Sequence, residues 1–254
     1  MVDNIVNWIK LYSKNANIKT LVIGISGGVD SALVSTLSAM TGLETIVISM
    51  PIHQKEDQLK RAKDHASWLC DKYKNVTFLE KDLTELFNFF KNNFDETEKN
   101  DLSLANSRSR LRMITLYQIA GVKNGLVVGT GNKIEDFGVG FFTKYGDGGV
   151  DISPIADLTK SEVKKMATDL GIIEDIIKAR PTDGLWDEDK CDEDQLGASY
   201  EELEWAMEYL ETNQNFNISK RQEEVLKIYQ SFNKKNKHKM IEIPVYKKKK
   251  EIYA

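Results

Sequence analysis

The chain has 254 residues, 41% of them hydrophobic and 29% charged, which is typical of one soluble globular domain. Its 35 Lys and Arg residues against 39 Asp and Glu give a net charge of -4, so nothing favours a nucleic-acid partner. Two cysteines, Cys70 and Cys191, exclude a zinc site or a disulfide framework. Because no signal peptide or membrane-spanning apolar run is visible, we expect a cytoplasmic protein with no membrane partner.

Apolar runs and helical patterns alternate through the first half of the chain. The apolar runs predict buried strands at Leu21–Ile25, Thr45–Met50, Val76–Leu79 and Leu126–Gly129. Apolar residues at helical spacing predict helices at Ser31–Met40, Gln54–Tyr73, Leu83–Asn92 and Leu104–Ala120. This alternation predicts an α/β fold, a parallel sheet with helices on both faces. In such sheets ligands bind beyond the carboxyl ends of the strands, where the turns after Ile25 and Val128 would face one site.

Three segments lack such periodicity. The polar stretch Asn92–Asp101 is interpreted as a mobile loop, and the acidic stretch Pro181–Gly197 as a flexible loop. The C-terminus is rich in lysine from Lys234 onwards, and a solvated tail is the simplest interpretation of such a charge run.

The most informative motif follows the first predicted strand and reads Gly24-Ile25-Ser26-Gly27-Gly28-Val29-Asp30-Ser31. Its glycines let the backbone approach a ligand, its serines add donors, and the first amides of the next helix are unpaired at the positive end of the dipole. This geometry suits a phosphate or pyrophosphate. A simple capped turn would explain a lone Gly-Gly pair, but the full string is more restrictive. It resembles the pyrophosphate loop of ATP pyrophosphatases.

A second group of polar residues follows the last predicted strand. Thr130 and Glu135 offer oxygen ligands that suit a hard cation such as magnesium. Asp30 also favours a cation, because a carboxylate beside a phosphate would repel it unless a positive charge lay between them. Phe141 and Phe142 either stack on a flat ring or pack in the core, and taken alone the core reading is favoured.

The order of further motifs makes the chain similar to the ammonia-dependent NAD synthetases. The strings that carry this resemblance are GISGGVDSAL, SRLRMITLY, GTGNK-x-E, GFFTKYGDGGVDISP, LTKSEV, ARPTDGLW and DEDQLGASY, with NKHK near the end. The resemblance implies a doubly wound parallel sheet of the adenine nucleotide alpha hydrolase-like type. It implies one NAD synthetase domain over residues 1–254, with a basic tail from about residue 234. With only about 20 residues before the first strand, we expect no amidohydrolase (glutaminase) domain.

The resemblance also implies a role for each matching residue. Gly24 to Ser31 would cradle the ATP phosphates, with Thr130, Lys160 and Thr182 also contacting ATP. Asp30 and Glu135 would hold magnesium and, with Lys160, form the catalytic set. The residues that would bind deamido-NAD are Arg110, Lys144, Asp151, His238 and Lys239. The usual assembly of the family is a homodimer with substrate sites near the subunit interface.

The implied reaction is ligation of ammonia to the nicotinate carboxylate of deamido-NAD. The carboxylate attacks the α-phosphorus of ATP and expels diphosphate, and ammonia then attacks the acyl-adenylate to give NAD and AMP. The base for ammonium is not identified by the sequence, where Asp147 and Asp151 are candidates by proximity alone. The segment before Gly140 is one residue longer than in many relatives, and Asp183 stands where alanine is usual.

Two rival functions fit parts of the sequence. A thiolating or GMP-forming enzyme of the pyrophosphatase class shares the first loop, but the chain lacks a set of catalytic cysteines, and FFTKYGDGG is foreign to GMP synthetases. A non-catalytic adenine-nucleotide-binding protein would have little use for Thr130 and Glu135. Formation of AMP distinguishes the enzyme from this last alternative.

Overall fold

A parallel four-stranded sheet forms the centre of the molecule. The computed structural model describes residues 1–182, 191–212 and 217–248. The strands are β1 (Thr20–Gly24), β2 (Glu44–Ser49), β3 (Val76–Glu80) and β4 (Gly125–Val127). They lie in the order β3-β2-β1-β4, and every neighbouring pair is parallel. Because β1 and β4 are neighbours, the loops that follow them leave the same edge of the sheet side by side.

Helices connect the strands and continue beyond the sheet. They are α1 (Val2–Asn15), α2 (Val29–Met40), α3 (Glu56–Lys72), α4 (Thr84–Asn92), α5 (Asp101–Lys123), α6 (Lys160–Asp169), α7 (Glu174–Ile177), α8 (Asp192–Leu196), α9 (Tyr200–Thr212) and α10 (Lys220–Met240). A 3-10 turn covers Glu96–Glu98, and a π-helix covers Ile134–Val139. No helix in the described ranges is both long and apolar enough to cross a membrane.

The two faces of the sheet bury different helices. Leu21 and Ile23 point to one face, where they pack with residues of α1, α2 and α6. Val22, between them, points to the other face and packs with residues of α4 and α5. This alternation is the period of two that a strand imposes on its side chains. Both faces are therefore covered by helices, as in a doubly wound fold.

A second core lies beside the carboxyl edge of the sheet. It is formed by α9, α10 and the π-helix, with Ile134, Tyr200, Leu203 and Tyr229 among its buried residues. This core fixes the segment that carries Glu135, because the π-helix packs against both α9 and α10.

The predicted strands and helices of the first half are confirmed, with shifts of up to three residues at their ends. Two other predictions were wrong in part. The stretch Pro181–Gly197 is not wholly loop, because α8 occupies Asp192–Leu196, with the buried Leu196 in the second core. The basic tail does not begin at Lys234, because α10 continues to Met240. Asp183 lies outside the described residues.

Candidate active site

The loop between β1 and α2 is built to receive an anion. Gly27 has a φ of +84°, and a Cβ there would lie 2.6 Å from the carbonyl oxygen of Gln58, so only glycine fits. The Ser31 hydroxyl donates to the carbonyl of Gly28 at 3.0 Å and accepts from the N–H of Ser26 at 3.2 Å. The N-cap of α2 is Gly28, which has no side chain with which to cap the helix. Neither Ser26 nor Asp30 caps the helix, so its first amides remain available to a ligand.

A buried lysine joins the first turn of α2, which carries Asp30, to the π-helix, which carries Glu135. Lys160, the first residue of α6, donates to Asp30 at 2.6 Å and to Glu135 at 3.0 Å, and its side chain is 4% exposed. Burial alone would lower the pKa of Lys160, but the charges and hydrogen bonds of the two carboxylates outweigh it and raise this pKa above its usual value. The three members of the predicted catalytic set thus meet at one point.

Three residues that the sequence analysis did not single out support this group. Asn132 is fully buried and donates to Asp30 at 3.1 Å. Its side-chain oxygen accepts from the N–H of Glu135 at 3.1 Å. The Tyr200 hydroxyl donates to Glu135 at 2.6 Å and to Asp192 at 3.2 Å. Burial, followed by the carboxylates of Glu135 and Asp192, raises the pKa of Tyr200 far above its usual value, so the phenol stays a donor.

A cavity of about 500 Å³ opens over these residues. It is lined by the whole loop from Gly24 to Ser31 and by Thr130, Glu135, Lys160 and Thr182. Asp147 and Lys239 line the same cavity. Every residue expected to contact ATP therefore faces this cavity. Both phenylalanines line it too, although Phe141 also packs against the second core.

A smaller acidic pocket adjoins the cavity and shares Phe142, Asp147 and Lys239 with it. Burial, and then the charges of Glu135, Asp147 and Asp30, raise the pKa of Asp136 in this pocket to about 8. Burial lowers the pKa of Lys239 in spite of the opposing charge of Asp147. Asp147 accepts from Ser109 at 2.6 Å and from the N–H of Thr143 at 3.1 Å.

The residues expected to bind deamido-NAD do not all meet in the cavity. Arg110 donates to the carbonyl of Lys144 at 3.3 Å, and Lys144 donates to the carbonyl of His238 at 2.8 Å, forming an exposed row. Lys239 alone of the five lines the cavity. Asp151 lies outside it and accepts from Tyr117 at 3.0 Å, so proximity favours Asp147 over Asp151 as the candidate base.

Magnesium was expected at Asp30 and Glu135. Within the ranges that the structure describes, no group of three or more His, Cys, Asp or Glu side chains is placed to hold a metal ion. The two carboxylates nevertheless fit a cation, since their oxygens converge on the single ammonium of Lys160. Magnesium commonly takes one or two protein carboxylates and completes its shell with water and substrate phosphates. A magnesium ion here would take its remaining ligands from water and substrate phosphates.

Together, the doubly wound sheet, the anion loop at its carboxyl edge and the adjoining carboxylates define a nucleotide-binding α/β protein. The NAD synthase family model matches residues 1–243. The chain is 41% identical over 203 residues to an NH3-dependent NAD+ synthetase of Carboxydothermus hydrogenoformans, covering 80% of this chain and 82% of that one. This chain belongs to the NAD synthase family.

Solved structures agree with this assignment. An NMN synthetase from Francisella tularensis superimposes with a TM-score of 0.85 at 27% identity, covering 96% of both chains. An NH3-dependent NAD synthetase from Campylobacter jejuni superimposes with a TM-score of 0.80 at 26% identity, covering 97% of both chains. The doubly wound fold expected from the resemblance is confirmed.

Proposed function

We propose that this chain catalyses the ATP-dependent amidation of the nicotinate carboxylate of deamido-NAD with ammonia, giving NAD, AMP and diphosphate. Its family and its curated relatives support this reaction. The observation that carries the proposal is a single cavity lined by two sets of residues, the phosphate loop with Lys160, and Phe142 with Asp147 and Lys239. ATP and an acceptor with a flat ring and phosphates would therefore lie in contact.

The proposed division of labour follows from this geometry. Amides of the loop Gly24–Ser31 and the ammonium of Lys160 would neutralise the ATP phosphates, and Phe142 would stack on the nicotinate ring. By aligning the carboxylate with the α-phosphorus, the site would avoid the entropic cost of bringing the two reactants together in solution. Magnesium, held by Asp30 and Glu135, would supply further positive charge to the phosphates. The chain needs no covalent nucleophile of its own.

The remaining acceptor contacts are proposed on the outer side of α5. Arg110, Ile114 and Tyr117 are spaced to share one face of this helix, and Ile114 is 58% exposed. We propose that this face forms a homodimer interface beside which Arg110, Lys144, Asp151 and His238 bind the dinucleotide. Sedimentation of the parent and of Ile114→Lys tests this interface. The parent is expected to sediment as a dimer and the variant as a monomer, and a monomeric parent would contradict the proposal. A cytoplasmic location stays a prediction of the sequence.

The purified chain tests the reaction directly. With ATP, magnesium, ammonium and deamido-NAD, we expect NAD and AMP in equal amounts, and with glutamine in place of ammonium we expect little NAD. Nucleotide binding without AMP formation would favour the non-catalytic alternative. Efficient use of glutamine, free of contaminating ammonia, would overturn the choice of nitrogen donor.

A second acceptor comes from one solved structure. The NMN synthetase from Francisella tularensis is similar to this chain over 96% of both chains. The second candidate function is amidation of the corresponding nicotinate mononucleotide. A comparison of kcat/KM for the two acceptors under identical conditions decides between them.

A further inference from the structure

The helical turn that carries Glu135 is an uncommon one. Residues Ile134–Val139 form a π-helix, in which an N–H bonds to the carbonyl five residues before it. Glu135, a proposed metal ligand, lies in the first turn of this π-helix.

The carbonyls at the end of the π-helix are bound by two amides of α10. The side-chain amide of Asn233 donates to the carbonyl of Gly138 at 2.7 Å and reaches that of Phe137 at 3.4 Å. One turn further along α10, the amide of Asn236 donates to the carbonyl of Val139 at 2.8 Å. Both asparagines are partly buried, so water competes less for these hydrogen bonds than it would at exposed positions.

The backbone then connects these bonds to Glu135. Its carbonyl accepts from the N–H of Gly140 and, at 2.9 Å, from that of Phe141. Gly140 has a φ of +64°, and a Cβ there would lie 2.5 Å from the Cβ of Asn236. Only glycine therefore fits this close to α10, and its N–H binds the carbonyl of Glu135. The Glu135 carboxylate in turn meets Lys160 and Tyr200.

We propose that Asn233 and Asn236 are positioning residues, whose amides hold the π-helix in the register that brings the carboxylate of Glu135 to Lys160. The effect that we expect on the reaction rests on the proposed function. Asn236 also lines the cavity, and the test therefore includes the acceptor KM. The action of the two asparagines is that of residues behind a metal ligand, which orient it and whose loss commonly reduces metal affinity or activity by about 10-fold to 100-fold.

The test replaces each amide by the isosteric carboxylate, which accepts hydrogen bonds but cannot donate them to a carbonyl. The variants are Asn233→Asp and Asn236→Asp, with Asn233→Ala in case the added charge prevents folding. Gln230→Glu is the matched control, since it makes the same kind of change at an exposed position of α10. Hydrogen exchange of the amides of Gly140 and Phe141 reports on the turn itself, and kinetics report on its consequence.

For the asparagine variants we expect faster exchange at Gly140 and Phe141, a kcat about 10-fold or more lower, and a higher half-saturating magnesium concentration. We expect the asparagine variants to keep the acceptor KM of the parent. The control variant is expected to match the parent in every measurement. Unchanged exchange would overturn the proposal, and so would faster exchange with unchanged kcat and magnesium requirement. A rise in acceptor KM alone would also overturn it, because Asn236 would then be a substrate contact. An inactive parent would contradict the proposed function, while the exchange data would still test whether Asn233 and Asn236 hold the π-helix.

Discussion

Lys160 is the residue on which the site depends most. Its ammonium is nearly inaccessible to water and is held by Asp30, in the first turn of α2, and by Glu135, in the π-helix. A buried charge without a partner is far costlier than a satisfied pair, so the three side chains stabilise the fold only as a unit. Lys160 also lines the cavity together with the phosphate loop.

Replacing Lys160 by methionine tests this dependence. The carboxylates of Asp30 and Glu135, only 15% and 17% exposed, would be left close together without their counter-charge, so we expect the free energy of unfolding to fall by about 3 kcal/mol. Urea denaturation without metal measures the change. Lys165→Met is the control on the same helix, because Lys165 makes an exposed pair with Asp169. A Lys160→Met variant as stable as the parent would show that the pair contributes nothing.

Replacing the two carboxylates tests the proposed metal site. We expect Asp30→Asn and Glu135→Gln each to lower kcat about 100-fold and to raise the magnesium concentration needed for half-maximal rate, because each removes one negative ligand. Steady-state kinetics at several magnesium concentrations measure both effects. Asp157→Asn, at a side chain that is 97% exposed, is the control. Near-normal turnover of both variants at limiting magnesium would exclude the site.

At the scale of an element, α3 carries a buried histidine whose protonation opposes folding. His65 is 1% exposed, lies 2.9 Å from the Ser35 hydroxyl and stacks on Trp68. Burial lowers its pKa to about 4. An unfolded histidine has a pKa of about 6.5, so the contribution to stability is full above pH 6.5 and is lost as the pH falls towards 4.

We therefore expect His65→Gln, which cannot take up this proton, to lose less stability than the parent on acidification. When the pH falls from 7 to 5, the free energy of unfolding of the parent should fall by about 2 kcal/mol more than that of His65→Gln. Urea denaturation at both pH values measures it, with the exposed His53→Gln as control. Parallel curves for parent and His65→Gln would show that this histidine does not titrate with folding.

The last two turns of α10 are the second element with a testable role. The resemblance assigns His238 and Lys239 to deamido-NAD, and Lys239 also donates to the carbonyl of Phe142 at 2.7 Å. Changing both to alanine should raise the acceptor KM about tenfold or more, and by more than the KM for ATP, because a charge-assisted contact is lost. Alanine at the exposed Lys234 and Lys237 is the matched control. Unchanged acceptor kinetics would contradict the assignment.

Local patterns predicted the strands and the phosphate loop, because hydrophobic period and glycine spacing act over a few residues. They did not predict α10, whose only fully buried residues are Val225 and Tyr229, so its pattern is mostly polar. Tyr200 was missed for another reason. Its bond to Glu135 joins positions 65 residues apart, and no periodicity records such a contact. The string DEDQLGASY contains both Asp192 and Tyr200, so the sequence analysis included the motif but assigned no role to either residue.

At the scale of the whole molecule, function depends on two units meeting at the edge of the sheet. The sheet and α2 present the phosphate loop, while α9 and α10 hold the turn that bears Glu135. Residues of both units line one cavity, among them Ser26, Glu135 and Asn236. Adenylation of a carboxylate requires both substrates in one such space, because the acceptor oxygen must reach the α-phosphorus directly.

The fate of the acceptor's carboxylate oxygen tests this account most directly. Deamido-NAD labelled with oxygen-18 in its carboxylate is incubated with the chain, ATP, magnesium and ammonium, and the products are analysed by mass spectrometry. In the proposed reaction, AMP leaves with one labelled oxygen, and NAD keeps the other in its amide. Unlabelled AMP, or label in a phosphate released with ADP, would contradict the mechanism.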